Sequence, residues 1–179
     1  MKFLINIFGA PKSGKTTLMS AIFLSLKMND IYCEMVSDYP KGVLFEHRKD
    51  VLTDQLHIFS VQTRRIEEIY RYADVTITDC PILHSLIYNA DKFKTLHPYI
   101  IEKHNSFNNL NLFIKQKKEV KYGSFKLMTV EEIKQKEVEI ENMLKEYPHL
   151  EYPQEPTSIR KAIKDVFENL NSTQKWRVL

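Results

Sequence analysis

Gly9-Ala10-Pro11-Lys12-Ser13-Gly14-Lys15-Thr16 matches the pattern G-x-x-x-x-G-K-[ST] at every fixed position. Residues of these types at this spacing can hold phosphate. Glycine lets the backbone curl so that successive N–H groups point inward at an anion. A helix starting at the end of the segment adds the positive end of its dipole. Lys15 then supplies a point charge for the β- and γ-phosphates, and the Thr16 hydroxyl a ligand for Mg²⁺. The expected phosphate-binding set is Gly9, Ala10, Pro11, Lys12, Ser13, Gly14, Lys15, Thr16 and Thr17.

Two acids fit the same chemistry. Asp79 ends the run Val75-Thr-Ile-Thr-Asp79, where a carboxylate at a strand tip can share a Mg²⁺ shell with Thr16. The alternative is a turn or capping aspartate ahead of Pro81. Cys80-Pro81 follows it and offers no carboxylate to polarise a water, and no Asn/Thr-Lys-x-Asp guanine signature occurs. Transfer to a bound acceptor is therefore favoured over hydrolysis. Asp38, in Val36-Ser-Asp38-Tyr39-Pro, stands where a carboxylate can accept the proton of an attacking hydroxyl; a plain turn is its alternative. Gln55 and Gln62 are seven apart on one predicted helix, with Arg65 three beyond Gln62. With Tyr39 they could meet the edges of a nucleoside, or they could be solvent-exposed polar residues. Lys115, Lys117, Lys118, Lys121 and Lys126 are five cations in twelve residues, read as a lid at about residues 115–128 or as a solvated loop.

The elements that must position these groups follow from periodicity. Lys2 to Phe8 is a continuous apolar run suited to a strand buried on both faces. A helix is expected over Thr16 to Met28, a strand over Ile31 to Ser37, and a long helix over Thr53 to Tyr72 capped by Thr53. Asp74 to Thr78 reads as a third strand and Leu110 to Ile114 as a fourth. Helical material starts at about Leu83 and is broken by Pro98. Helices over Val130 to Tyr147 and about Ser158 to Leu170 complete the chain. This alternation predicts an α/β domain over residues 1–179, with a mostly parallel sheet, helices on both faces and right-handed crossovers.

Composition agrees: 43 % of residues are apolar and 27 % charged, and no apolar run approaches the roughly 18 residues of a membrane span. The first eight residues faintly resemble a signal peptide but run into the glycine loop, so a cytoplasmic chain with no membrane partner is expected. A net charge of +3 and pI near 8.7 tolerate a nucleic-acid partner without requiring one. Cys33 and Cys80 are isolated and read as reduced core thiols. The sequence specifies no oligomeric state.

Together these residues resemble small phage-encoded P-loop kinases and ATPases with a nicotinamide-riboside-kinase-like (AAA-type) domain, a group that includes kinases acting on 5-hydroxymethyl-deoxyuridine in DNA. The resemblance spans about residues 3 to 147. It rests on Phe8 to Thr17, Asp38-Tyr39, Asp54-Gln-x-x-Ile58-Phe, Gln62-x-x-Arg65 and Thr78-Asp-Cys-Pro-Ile-Leu83 running on to Leu86-Ile-Tyr88. It implies a P-loop NTPase-type three-layer α/β/α fold and an ATP- and Mg²⁺-dependent kinase. Lys15, Asp38, Asp79 and a lid cation such as Lys126 would be catalytic, Thr16 and Asp79 would hold the metal, and Asp38, Tyr39, Gln55, Gln62 and Arg65 would face a nucleoside-like acceptor, free or within modified DNA. The chain departs from the family pattern at Asp38, where glutamate is frequent, and at Cys80, which replaces serine. Gln116 and Phe125-Lys126 stand where the family often has an arginine and a Gly-Arg pair. Lysine keeps the charge there and loses the bidentate fork.

Overall fold

A computed structural model of the chain describes residues 2–88, 94–116 and 128–173. Phe3–Phe8 forms β1, buried along its whole length. It lies at the centre of a five-stranded, all-parallel sheet. The spatial order is β2 (Cys33–Val36), β3 (Val75–Thr78), β1, β4 (Asn109–Lys115) and β5 (Leu150–Pro153). Ile5 lies opposite Ile77 on β3, and Ile7 opposite Leu112 on β4.

Because successive side chains on a strand point to opposite faces, β1 feeds two cores. Phe3, Ile5 and Ile7 pack with Leu18, Ile22 and Leu26 of α1 (Lys15–Met28) and with Ala162, Val166 and Leu170 of α8 (Pro156–Thr173). Leu4 and Phe8 pack with α4 (Gln55–Tyr70), α5 (His84–Tyr88), α6 (His97–Asn105) and α7 (Val130–Leu144), through Phe59, Ile66, Ile87, Ile100, Ile140 and Leu144. Each fully buried aliphatic side chain contributes about 1.5–3 kcal/mol. Asn6, the polar break in the β1 run, is fully buried and donates to Asn109 Oδ1 at 2.9 Å and Asn111 Oδ1 at 3.0 Å on β4. Both thiols are free and buried. Among the described residues no helix is long and apolar enough to cross a membrane.

Several elements depart from the sequence expectation. Two short helices, α2 (Tyr39–Phe45) and α3 (Lys49–Leu52), fill the segment after β2. Thr53 does not cap the long helix. It closes α3, and Asp54 caps α4 by accepting from the His57 N–H at 2.9 Å. Pro98 does not break a helix but sits in the first turn of α6, where a missing N–H leaves no bond unmade. β5 was not expected, since four residues ending in proline carry little strand signal alone. Lys115 ends β4 and pairs with Glu141 and Glu151 at 2.8 and 2.9 Å, so it braces the sheet rather than a lid. Lys117, Lys118, Lys121 and Lys126 lie outside the described residues.

His84 and His104 are buried, and loss of hydration lowers their pKa values to about 3 and about 4, with the Lys15 charge adding to the effect at His84. Both folded values lie below the ordinary value near 6.5 that the unfolded chain keeps. The unfolded state therefore binds more protons in that window. Stability should be complete above about pH 6.5 and fall as pH drops, by about 1.4 kcal/mol per pH unit for each imidazole. Urea unfolding from about pH 7 to about pH 5 should register this decline, and His104→Phe should remove close to half of it. An unchanged slope in that variant contradicts the assignment.

Candidate functional site

All five strands are parallel, so their carboxyl ends share one edge, and the strand order reverses at β1. Open α/β sheets bind ligands at such a point. The segment Gly9–Thr17, Asp38 and Asp79 gather there.

The segment Gly9–Gly14 connects β1 to α1. Gly9 is required by space: a Cβ at this position would lie 2.4 Å from Ser13 Oγ and 2.8 Å from the Ile114 carbonyl of β4. Lys12 and Gly14 take positive φ, 68° and 94°, which turns the chain into α1. The Ser13 N–H donates to the Ala10 carbonyl at 3.1 Å, and the Leu18 N–H to Gly14 at 3.0 Å. Two glutamines brace the outside of the turn. Gln116, just after β4, donates to the Pro11 carbonyl at 3.1 Å, and Gln154, just after β5, donates to the Lys12 carbonyl at 3.0 Å. Sequence reasoning missed both as supports of the loop, because each reaches it only through the sheet.

Lys15 folds back over the loop, its Nζ donating to the carbonyls of Gly9 at 2.9 Å and Ala10 at 3.0 Å. Burial pushes its pKa down, while Asp38 and Asp79 pull the other way. The ammonium is thus the positive centre of a small charge cluster. Thr16 Oγ1 donates to Asp79 Oδ2 at 2.5 Å, and the Asp38 N–H donates to Asp79 Oδ1 at 3.1 Å. Asp79 is 3 % exposed, so both its oxygens are committed to the loops it joins. Among the described residues no three His, Cys, Asp or Glu side chains converge as metal ligands. Thr16 and Asp79 nonetheless form a pair of hard oxygen donors side by side, which fits Mg²⁺ with water and phosphate filling its remaining positions.

Asp38 caps α2, its Oδ1 accepting from the Lys41 N–H at 3.1 Å. Burial raises its pKa, the Lys41 N–H opposes the rise, and Asp79 adds to it. A carboxyl displaced upward is closer to exchanging a proton near neutrality. Cys80 is buried beside both acids, and its thiol is held well above the usual range by burial first and the carboxylates second. Both effects favour the protonated thiol.

The residues expected to face an acceptor divide. Gln62 is buried, so neither of its expected roles applies. Its Oε1 accepts from the Tyr39 N–H at 3.1 Å, and its Nε2 donates to the Cys80 carbonyl at 3.3 Å. It ties the start of α2 to the end of β3. Gln55 donates to the Leu52 carbonyl at 2.6 Å and closes α3. Arg65 lies over the Tyr39 ring, its Cζ 4.7 Å from the centroid. The Tyr39 hydroxyl is hydrogen bonded to His57 Nε2 at 3.0 Å. His57 was missed; the only signal for it was its place in the first turn after Asp54.

On the other flank of the loop, a cavity of about 240 Å³ opens between Gly14, Thr17 and Leu18 on one side and Tyr152, Gln154 and Ile159 on the other. It is separate from the Asp38–Asp79 cluster. No protein-family model matches the chain, and no curated protein sequence matches it.

Proposed function

We propose that the chain is an ATP-dependent phosphotransferase with a P-loop at Gly9–Thr17, acting on a hydroxyl of a nucleoside-like acceptor. The observation that carries this reading is the convergence of the Lys15 ammonium, the Thr16–Asp79 oxygen pair and the Asp38 carboxylate at the mouth of one curled loop. Three independent strand ends contribute to that cluster. The glycine-loop spacing and the absence of a glutamate after Asp79 add support from the sequence.

In this reading the loop N–H groups take the triphosphate, and Lys15 exchanges the carbonyls of Gly9 and Ala10 for phosphate oxygens. Thr16 and Asp79 would hold Mg²⁺, which when bound neutralises charge on the β- and γ-phosphates. The cavity between Thr17 and Ile159 suits the donor base, with Leu18 and Tyr152 as apolar walls. On the opposite flank Asp38 orients the acceptor hydroxyl and takes its proton. The acceptor oxygen bonds to the γ-phosphorus as the bond to the β–γ bridging oxygen breaks, and ADP leaves with that electron pair.

Incubation with γ-labelled ATP, Mg²⁺ and a panel of nucleosides, nucleotides and hydroxymethyluracil-containing DNA tests the reading. Label should move to at least one acceptor; phosphate release without transfer would instead favour a nucleotide-gated ATPase. Asp38→Asn keeps an oxygen for the Lys41 N–H but cannot take a proton. It should lower kcat by about 10²–10⁴-fold with ATP affinity nearly unchanged. Wild-type turnover in that variant removes Asp38 as the base.

A further inference from the structure

Resting on the kinase reading, we propose that the acceptor carries a phosphate group, and that Arg65, held against Tyr39, binds it.

Arg64 and Arg65 are adjacent on α4 and differ sharply in their partners. Arg64 pairs with Glu68 at 2.8 Å. Arg65 has no carboxylate partner among the described residues, whereas the Lys41 charge acts on Asp38. The nearby acids are already engaged. Glu67 pairs with Lys103, Glu68 with Arg64, Asp54 caps α4, and Asp38 and Asp79 face Lys15. The surroundings therefore leave the exposed Arg65 guanidinium without a carboxylate, against the ring of the residue that follows Asp38.

The arrangement is also organised in advance. A guanidinium stacked on an aromatic ring keeps its N–H edge free while losing much of its rotamer freedom. Tyr39 is fixed at three points: its N–H on Gln62, its hydroxyl on His57, and its ring under Arg65. Gln62 is anchored in turn to the Cys80 carbonyl and to Thr78 Oγ1. The fork is thus referred through one buried amide to the strand end that carries Asp79. Planar, forked donors of this kind match phosphate oxygens, whereas a neutral nucleoside would leave the Arg65 charge unanswered. A terminal phosphate on a nucleotide and a phosphodiester in a strand present the same oxygens.

Calorimetric titration of the full chain can separate these cases. The probes are the four deoxynucleosides, their 5′-monophosphates and a mixed-sequence single strand of about eight nucleotides. At least one monophosphate, or the strand, should bind at least about tenfold tighter than its matching nucleoside. Arg65→Gln should collapse that ratio toward one, and Arg65→Lys should restore part of it. Preference for the monophosphate identifies a nucleotide acceptor, and preference for the strand a polynucleotide. Equal binding of nucleosides and phosphorylated probes overturns the proposal. So does a preference that survives Arg65→Gln, since it would belong to the Gly9–Thr17 loop, or a variant that weakens every probe equally through Tyr39. ATP binding and its dependence on Lys15 are measured separately, so a working donor site with no phosphate preference sinks this inference alone.

Discussion

Lys15→Ala is expected to lower phosphoryl transfer by at least about a thousandfold and to weaken ATP binding with it. The ammonium is the cation closest to the loop carbonyls and the one that Asp38 and Asp79 both face. Its removal leaves two carboxylates beside the space proposed for the triphosphate, so the local field changes from attractive to repulsive. Nothing comparable is lost from the fold, because Lys15 is the first residue of α1 and its bonds are to the loop itself. The variant should therefore unfold near the parent's midpoint while losing label transfer and equilibrium binding of ATP. If both functions persisted, the loop would not be a phosphate site.

Gly9→Ala is the second large effect, and it acts through space rather than charge. The added methyl would sit 2.8 Å from the Ile114 carbonyl and 2.4 Å from Ser13 Oγ. Ser13 is fully buried, and Ile114 belongs to β4, whose register is set by β1 on one side and β5 on the other. Neither neighbour can yield easily, and the positive φ of 154° adds strain for any residue with a side chain. Overpacking of this kind costs about 1–3 kcal/mol. Because it falls in the turn that would cradle phosphate, ATP affinity should drop by at least about a hundredfold. Gly42 is the internal control. It lies within α2, and a methyl group added there would meet nothing within 4 Å. Gly42→Ala should therefore be neutral or stabilising by up to about 1 kcal/mol. The urea midpoint should fall for Gly9→Ala and hold or rise for Gly42→Ala, and only Gly9→Ala should weaken ATP binding. A Gly9→Ala protein as stable and as ATP-competent as its parent contradicts the steric argument.

Legibility in the sequence follows how local each feature is. Phe3 to Met28 reads correctly as strand, loop and helix because its signals are consecutive: an apolar run, glycines at fixed spacing, then helical periodicity. Asp79 is legible for the same reason, as the acid that ends a short apolar strand. The cap of α4 is misread by one residue, since Thr53 and Asp54 are both good caps and only the backbone path decides between them. Gln62 is misread altogether. Its helical spacing from Gln55 and Arg65 is real, but α4 packs so that this amide turns inward to Tyr39 and Cys80.

The amino-acid order by itself determined the alternation of strands and helices, the curled glycine loop and the residue types of the charge cluster, because each depends on neighbours a few positions apart. Tertiary structure alone decided the strand order β2-β3-β1-β4-β5, and with it which strand ends meet. That order sets Asp38 on Asp79 across 41 residues, Gln116 on Pro11 across 105 and Gln154 on Lys12 across 142. Contacts at such separations arise when helices bury both faces of the sheet, and no local pattern records which side chains that burial will bring together.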